Sequence, residues 1–246
     1  FEVEARLALL ANYERSRDWA QATEIAEKLE FANHGSFNHR LSHYLCEQAA
    51  EQLATGHAQR ALELLRAATK RAPDAARPRI ELAQMLSNTG NSTLAFLALM
   101  EALDNAPTAI ALIVGPLADV AMRCNQVEAA LIRLQSLYEE SPSLDLLEAL
   151  VKLSNQSDEA AHSARGWYAH HLEHHSSLVA ASKWLAGEKL EHEQFHPQVQ
   201  RALDHATKPL LRYRCAACGF EAMQHFWQCP GCQTWDSYPS RRIEEL

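Results

Sequence analysis

Residues 56–73 open with Gly56-His57-Ala58-Gln59-Arg60-Ala61 and continue through Leu65 and Ala68 to Pro73. The same order returns twice. Gly90-Asn91-Ser92-Thr93-Leu94-Ala95 leads to Leu99, Ala102 and Pro107, and Asn125-Gln126-Val127-Glu128-Ala129-Ala130 leads to Leu134, Leu137 and Pro142. The alanines Ala61, Ala95 and Ala130 step by 34 and then 35 residues, and the prolines keep the same step. A weaker copy lies upstream, with Tyr13, Asp18-Trp19-Ala20-Gln21-Ala22, Ala26 and Leu29. Each marker has a physical role. A Gly or Asn ends one helix in the left-handed conformation, an alanine early in the next helix lets two helices approach closely, and a proline stops the pair. Apolar residues at three- and four-residue spacing fill the intervals.

This phase resembles the tetratricopeptide repeat, a helix–turn–helix unit of about 34 residues. Such units stack into a superhelix whose concave surface is lined by the first helix of each repeat. Counted from the phase, that surface includes His43, Arg77, Gln84, Asn88, Asp119 and Arg123, the expected partner-binding groove. From Leu144 to Pro209 the markers fade while the helical pattern persists, with helices expected at 144–154, 158–174, 177–190 and 196–207. Degenerate terminal repeats suit a stack that must be capped. The organisation read from sequence is therefore repeats over 1–143, degenerate repeats over 144–209 and a separate module over 210–246.

That module is marked by cysteine. Four of the six cysteines fall in the last 32 residues, as Cys215-Ala216-Ala217-Cys218 and Cys229-Pro230-Gly231-Cys232, with ten residues between the pairs. Each C-x-x-C turn aims two sulfurs at one point, and two facing turns supply four thiolates in a tetrahedron. A segment this short cannot build a sufficient apolar core, so a bound ion supplies the missing stability. Cys215, Cys218, Cys229 and Cys232 are the expected ligands of one iron or zinc ion. Zinc is favoured by prevalence, and a full set of protein ligands points to a structural role. Phe220, Phe226, Trp227 and Trp235 are expected to pack around it. The connection from Thr207 to Tyr213 holds Pro209 and none of the Gly/Ser composition of a tether. The module is therefore expected to dock on the helices through Tyr213, Phe226, Trp227 or Trp235.

Composition narrows the function. Of 246 residues, 47% are hydrophobic and 22% charged, with only 8 Gly and 9 Pro, as expected of a largely helical globular chain. The net charge of -8 makes a nucleic acid a poor partner. No stretch reaches the length of a membrane-spanning helix. The chain opens at Phe1, inside a helical pattern, and reads as part of a longer protein. Cys46 and Cys124 read as small apolar residues on repeat helices. His170/His174 and His171/His175 stand at i, i+4 and could each chelate an ion, but read as a solvated helix end. His192-Glu193-Gln194-Phe195-His196 matches H-E-x-x-H formally, yet Pro197 follows at once and argues for a helix junction. No nucleophile–base constellation, phosphate loop or dinucleotide fingerprint recommends an enzyme.

Helical repeats followed by R-Y-x-C-x-x-C-G-F and C-P-x-C-x-x-W resemble the lipopolysaccharide assembly protein B family of Gram-negative bacteria. The match is closest over Arg212–Trp235. The resemblance implies an all-α repeat protein with a C-terminal rubredoxin-like module that binds iron through Cys215, Cys218, Cys229 and Cys232. It also implies an N-terminal membrane anchor and first repeats lying outside this sequence, at the cytoplasmic face of the inner membrane. The implied role is a non-catalytic adaptor that works with the membrane protease FtsH to promote degradation of the deacetylase LpxC, restraining lipopolysaccharide synthesis. One departure is Gln233 after the second knuckle, where rubredoxin-type knuckles often carry Gly. Two other classes stay open on the residues: a rubredoxin-like electron carrier docked through its repeats, and a zinc ribbon gripping nucleic acid through Lys208, Arg212, Arg214, Arg241 and Arg242.

Overall fold

The computed structural model describes residues 2–32, 36–154, 160–187 and 193–246. Two compact units divide the chain, Phe1–Pro107 and Thr108–Leu246. The phased segment 125–142, residues 144–209 and the cysteine module all lie in the second unit.

The first unit holds three helix pairs: α1 (Glu2–Ser16) with α2 (Trp19–Phe31), α3 (Asn38–Ala54) with α4 (Ala58–Arg71), and α5 (Ala76–Asn88) with α6 (Ser92–Asn105). The turns of these pairs are built alike. Gly56 and Gly90 both take φ +83°, and Arg17 takes φ 58° at the equivalent place. One bond closes each turn: His57 N–H donates to Gln52 O at 2.8 Å, Asn91 to Leu86 at 2.8 Å and Asp18 to Tyr13 at 2.9 Å. This six-to-one bond across a left-handed residue satisfies a carbonyl that the helix end would otherwise leave open.

Beyond the turn, Ala22, Ala61 and Ala95 have no exposed surface. Cys46, Ala49, Ala61, Leu65, Ala68 and Met85 form one cluster, so Cys46 is core in this fold. Each fully buried Leu contributes about 1.5–3 kcal/mol, and the alanines set how close the helices come. Replacing Ala95 with Leu is expected to cost about 1–3 kcal/mol by overpacking, measurable as a lower urea midpoint with unchanged slope.

In the second unit α7 (Ile110–Arg123) pairs with α8 (Val127–Glu140), α9 (Leu144–Ser154) with α10 (Ala160–His174), and α11 (Leu178–Ala186) with α12 (His196–Thr207). The α7–α8 turn repeats the pattern, with Asn125 at φ 56°, Gln126 N–H donating to Ala121 O at 2.9 Å, and Ala130 fully buried. The four helices expected after Leu144 are all present. Positions 158–159 and 188–190 of those expectations, and His192 of the H-E-x-x-H string, lie outside the described residues. His196 stands at the start of α12, with its Nε2 3.1 Å from Leu185 O. Among the described residues, no single helix is long and apolar enough to cross a membrane.

Candidate metal centre

The C-terminal module is built on two copies of one turn. In the first, Cys215 N–H donates to Phe220 O at 2.9 Å and Gly219 N–H donates to Cys215 O at 2.9 Å. In the second, Cys229 N–H donates to Thr234 O at 3.0 Å and Gln233 N–H donates to Cys229 O at 2.8 Å. A short antiparallel pair flanks the first turn, with β1 (Tyr213–Arg214) against β2 (Glu221–Ala222). A single bridge, Gln228 to Trp235, flanks the second. The fifth residue of each turn is left-handed: Gly219 at φ 77° and Gln233 at φ 61°. A side chain at such a φ costs about 1–2 kcal/mol. Gln233→Gly is therefore expected to raise the stability of the folded module by about 1 kcal/mol, read as a slower release of its ion to a chelator.

The two turns face each other. All four sulfurs lie within 4.8 Å of one another, with Cys215–Cys232 at 3.8 Å and Cys218–Cys229 at 3.7 Å. None of these distances is a disulfide. A regular tetrahedron with edges of this length has its centre about 2.3 Å from each corner, the bond length of a metal–thiolate site. Cys215 and Cys229 are buried, whereas Cys218 and Cys232 reach the surface. The four thiols hold their protons unequally. Burial would raise the Cys215 thiol, yet the Ser237 hydroxyl, 3.3 Å away, and the N–H groups of Cys218 and Ala217 bring it down to about 6. At Cys218 the Phe220 N–H pulls downward, but desolvation and the neighbouring thiols prevail and push it to about 12. A divalent ion resolves this by drawing all four groups into the thiolate form.

The aromatic residues surround the centre unequally. Tyr213, Cys215, Cys229 and Tyr238 form a small core, packed against Phe226 and against Leu112 of α7. Trp235 is buried, and Trp227 lies edge-on to His225 at 4.7 Å. Phe220 stays 43% exposed, so it covers the site less than its position suggests. His225 reaches Tyr238 O at 3.2 Å, and Glu221 pairs with Arg214 at 2.8 Å and Arg212 at 3.3 Å. Both residues are thus engaged away from the sulfurs.

Sequence reading did not anticipate the polar links between module and helices. Residues 240–246 run as a strap over the starts of several helices. Ser240 donates to Thr108 O at 2.6 Å, ahead of α7. Arg242 holds Asp145 of α9 at 2.9 Å, donates to Leu211 O at 2.9 Å and lies 4.8 Å over the Tyr213 ring. Glu245 accepts from Leu144 N–H at 2.8 Å. Glu244 accepts from Leu178 N–H at 2.6 Å, Val179 N–H at 3.0 Å and the Ser177 hydroxyl at 2.9 Å. The two glutamates therefore cap α9 and α11, where unpaired N–H groups and the helix dipole favour negative charge. These partners lie 65 or more residues away along the chain, and only the fold reveals them.

The expected groove residues separate. His43 and Arg77 are 2% and 6% exposed. Arg77 pairs with Glu81 at 2.6 Å and Glu47 at 2.7 Å, and lies 3.4 Å from His43 Nδ1. Burial works against the guanidinium, but Glu81 and Glu47 hold it firmly charged. Both residues are thus buried, and Glu47 of α3 and Glu81 of α5 meet the Arg77 charge. Gln84 and Asn88 are exposed in the first unit, and Asp119 and Arg123 in the second. Asp119 pairs with Lys152 at 2.5 Å.

The chain is an all-α helical-repeat protein carrying a C-terminal four-cysteine module of the rubredoxin or zinc-ribbon kind, and residues 213–238 match the family described as Rubredoxin metal binding domain. Its likeness is to Lipopolysaccharide assembly protein B: 23% identity to the Escherichia coli K12 protein, covering 100% of this chain and 64% of that one. The Haemophilus influenzae protein of the same name is 25% identical, covering 96% of this chain and 61% of that one. The chain thus spans less than two thirds of the length of these relatives. A solved tetratricopeptide repeat protein from Parabacteroides merdae aligns with TM-score 0.47 and 10% identity, covering 83% of this chain and 78% of that one.

Proposed function

We propose that this chain is the non-catalytic adaptor part of a regulator of lipopolysaccharide synthesis, acting with FtsH to promote degradation of LpxC at the cytoplasmic face of the inner membrane. The observation that carries this reading is the likeness to Lipopolysaccharide assembly protein B over the full chain. The module supports it, because a site filled by four protein thiolates leaves no position for substrate. In this reading Cys215, Cys218, Cys229 and Cys232 hold one iron or zinc ion, and the ion keeps the module folded. The helical repeats recruit the protein partners. In a strain depleted of the full-length protein, the half-life of LpxC is expected to lengthen and lipopolysaccharide to rise. An unchanged half-life overturns the reading.

One observation favours a second reading. Cys218 and Cys232 reach the surface, as the sulfurs of an electron-transfer site must. A reversible one-electron couple, reduced by a partner reductase, would establish an electron carrier instead. A nucleic-acid grip is less well supported, because Arg212, Arg214 and Arg242 are already paired with carboxylates.

A further inference from the structure

The C-terminal end of α10 carries His170, His171 and His174, and His175 follows directly after it. Two i, i+4 pairs result, and the fold treats them differently. His171 is buried, with its Nδ1 2.6 Å from the Tyr138 hydroxyl, and burial, followed by His175, lowers its pKa. The His171/His175 pair has therefore lost one member to the interior. His170 and His174 are both exposed, with ring centroids 5.2 Å apart. Glu173 joins them: its carboxylate lies 3.8 Å from His170 Nδ1. One ligand atom from each of the three residues falls within 4.8 Å of the others.

The cluster also borders concave surface. His170 and His174 line a cavity of about 280 Å³ together with Tyr138 and Glu139 of α8. A second cavity of about 480 Å³ is lined by His170, Glu139 and Trp167. Glu139 of α8 borders both cavities.

We propose that His170, Glu173 and His174 form a second metal site, chemically distinct from the four-cysteine centre, which takes a divalent transition ion such as zinc. Two imidazoles and one carboxylate suit zinc, cobalt, nickel or copper, whereas calcium and magnesium prefer an all-oxygen shell. Residues at i, i+3 and i+4 share one helix face, which lets a single ion reach all three. Three protein ligands leave a fourth position for water or for a side chain of a bound protein.

The test uses the full chain with one equivalent of zinc in the module, verified by elemental analysis, and titrates it with zinc at neutral pH by calorimetry. A second equivalent is expected to bind. Replacing both His170 and His174 with Ala should weaken that second equivalent by at least about tenfold, as loss of metal-site side chains does, and leave the first in place. Both histidines are exposed on a helix, so the variant retains its helical signal. Glu173→Gln should weaken the second equivalent less. A wild-type chain that takes up no second ion overturns the proposal, as does a second ion that binds equally well without both histidines.

Discussion

Replacing Cys229 and Cys232 with Ser is expected to lower the thermal midpoint of the helical signal by about 6–12 °C, as well as to abolish metal binding at the four-cysteine centre. Two of four donors disappear, and a module of this size does not stay folded without its ion. The consequence reaches the helices because the module positions the strap. With it go the Glu245 cap on α9, the Glu244 cap on α11 and the Arg242–Asp145 pair. At about 1 kcal/mol for each of these three links, the loss is about 3 kcal/mol, and each kcal/mol shifts the midpoint of a chain this long by about 2–4 °C. Far-ultraviolet circular dichroism during a thermal scan reads the effect. Identical melting of both proteins would make module and helices independent.

Removing the Arg242 side chain alone is expected to cost about 1–2 kcal/mol, with metal stoichiometry unchanged. Asp145 is 11% exposed, so losing its partner leaves a carboxylate largely buried and uncompensated. Burial by itself disfavours the Arg242 charge, but the bond to Asp145 more than offsets this. The same guanidinium also caps Leu211 O and covers the Tyr213 ring, so Lys at this position restores only part of the loss. Urea unfolding of Arg242→Ala, Asp145→Ala and the double variant closes a cycle. A coupling of at least about 1 kcal/mol is expected between groups in direct contact, and a value near zero would deny the pair its role.

What sequence reveals here depends on how far apart the interacting residues lie. The repeat turns were legible because each is local: a left-handed residue, a six-to-one bond and a small residue a few positions later. Arg17 marks the limit of that reading. It adopts the conformation that Gly56, Gly90 and Asn125 adopt elsewhere, and so the first repeat lacked its usual sign. The knuckles were legible for the same reason, including the strain at Gln233. The strap was not, because Glu244 and Glu245 find their partners 65 to 101 residues away. The burial of His43 and Arg77 was not legible for a related reason. Phase alone assigns a helix face, whereas Glu47 and Glu81 decide whether a charge on that face can be buried. The two histidine pairs at the end of α10 look equivalent in sequence and become distinct only when Tyr138 takes one of them.

The central claim is that an ion held by four cysteines secures a strap that caps the helices beside it. Amide hydrogen exchange at Leu144, Leu178 and Val179, compared between the metal-loaded chain and the same chain stripped by a chelator, tests it directly. These amides are bound to Glu245 and Glu244 in the folded chain. They are expected to exchange slowly with the metal present and to lose that protection when it is removed, while Ala61 and Ala95 in the first unit stay protected. Equal protection of Leu144, Leu178 and Val179 in both states would contradict the claim.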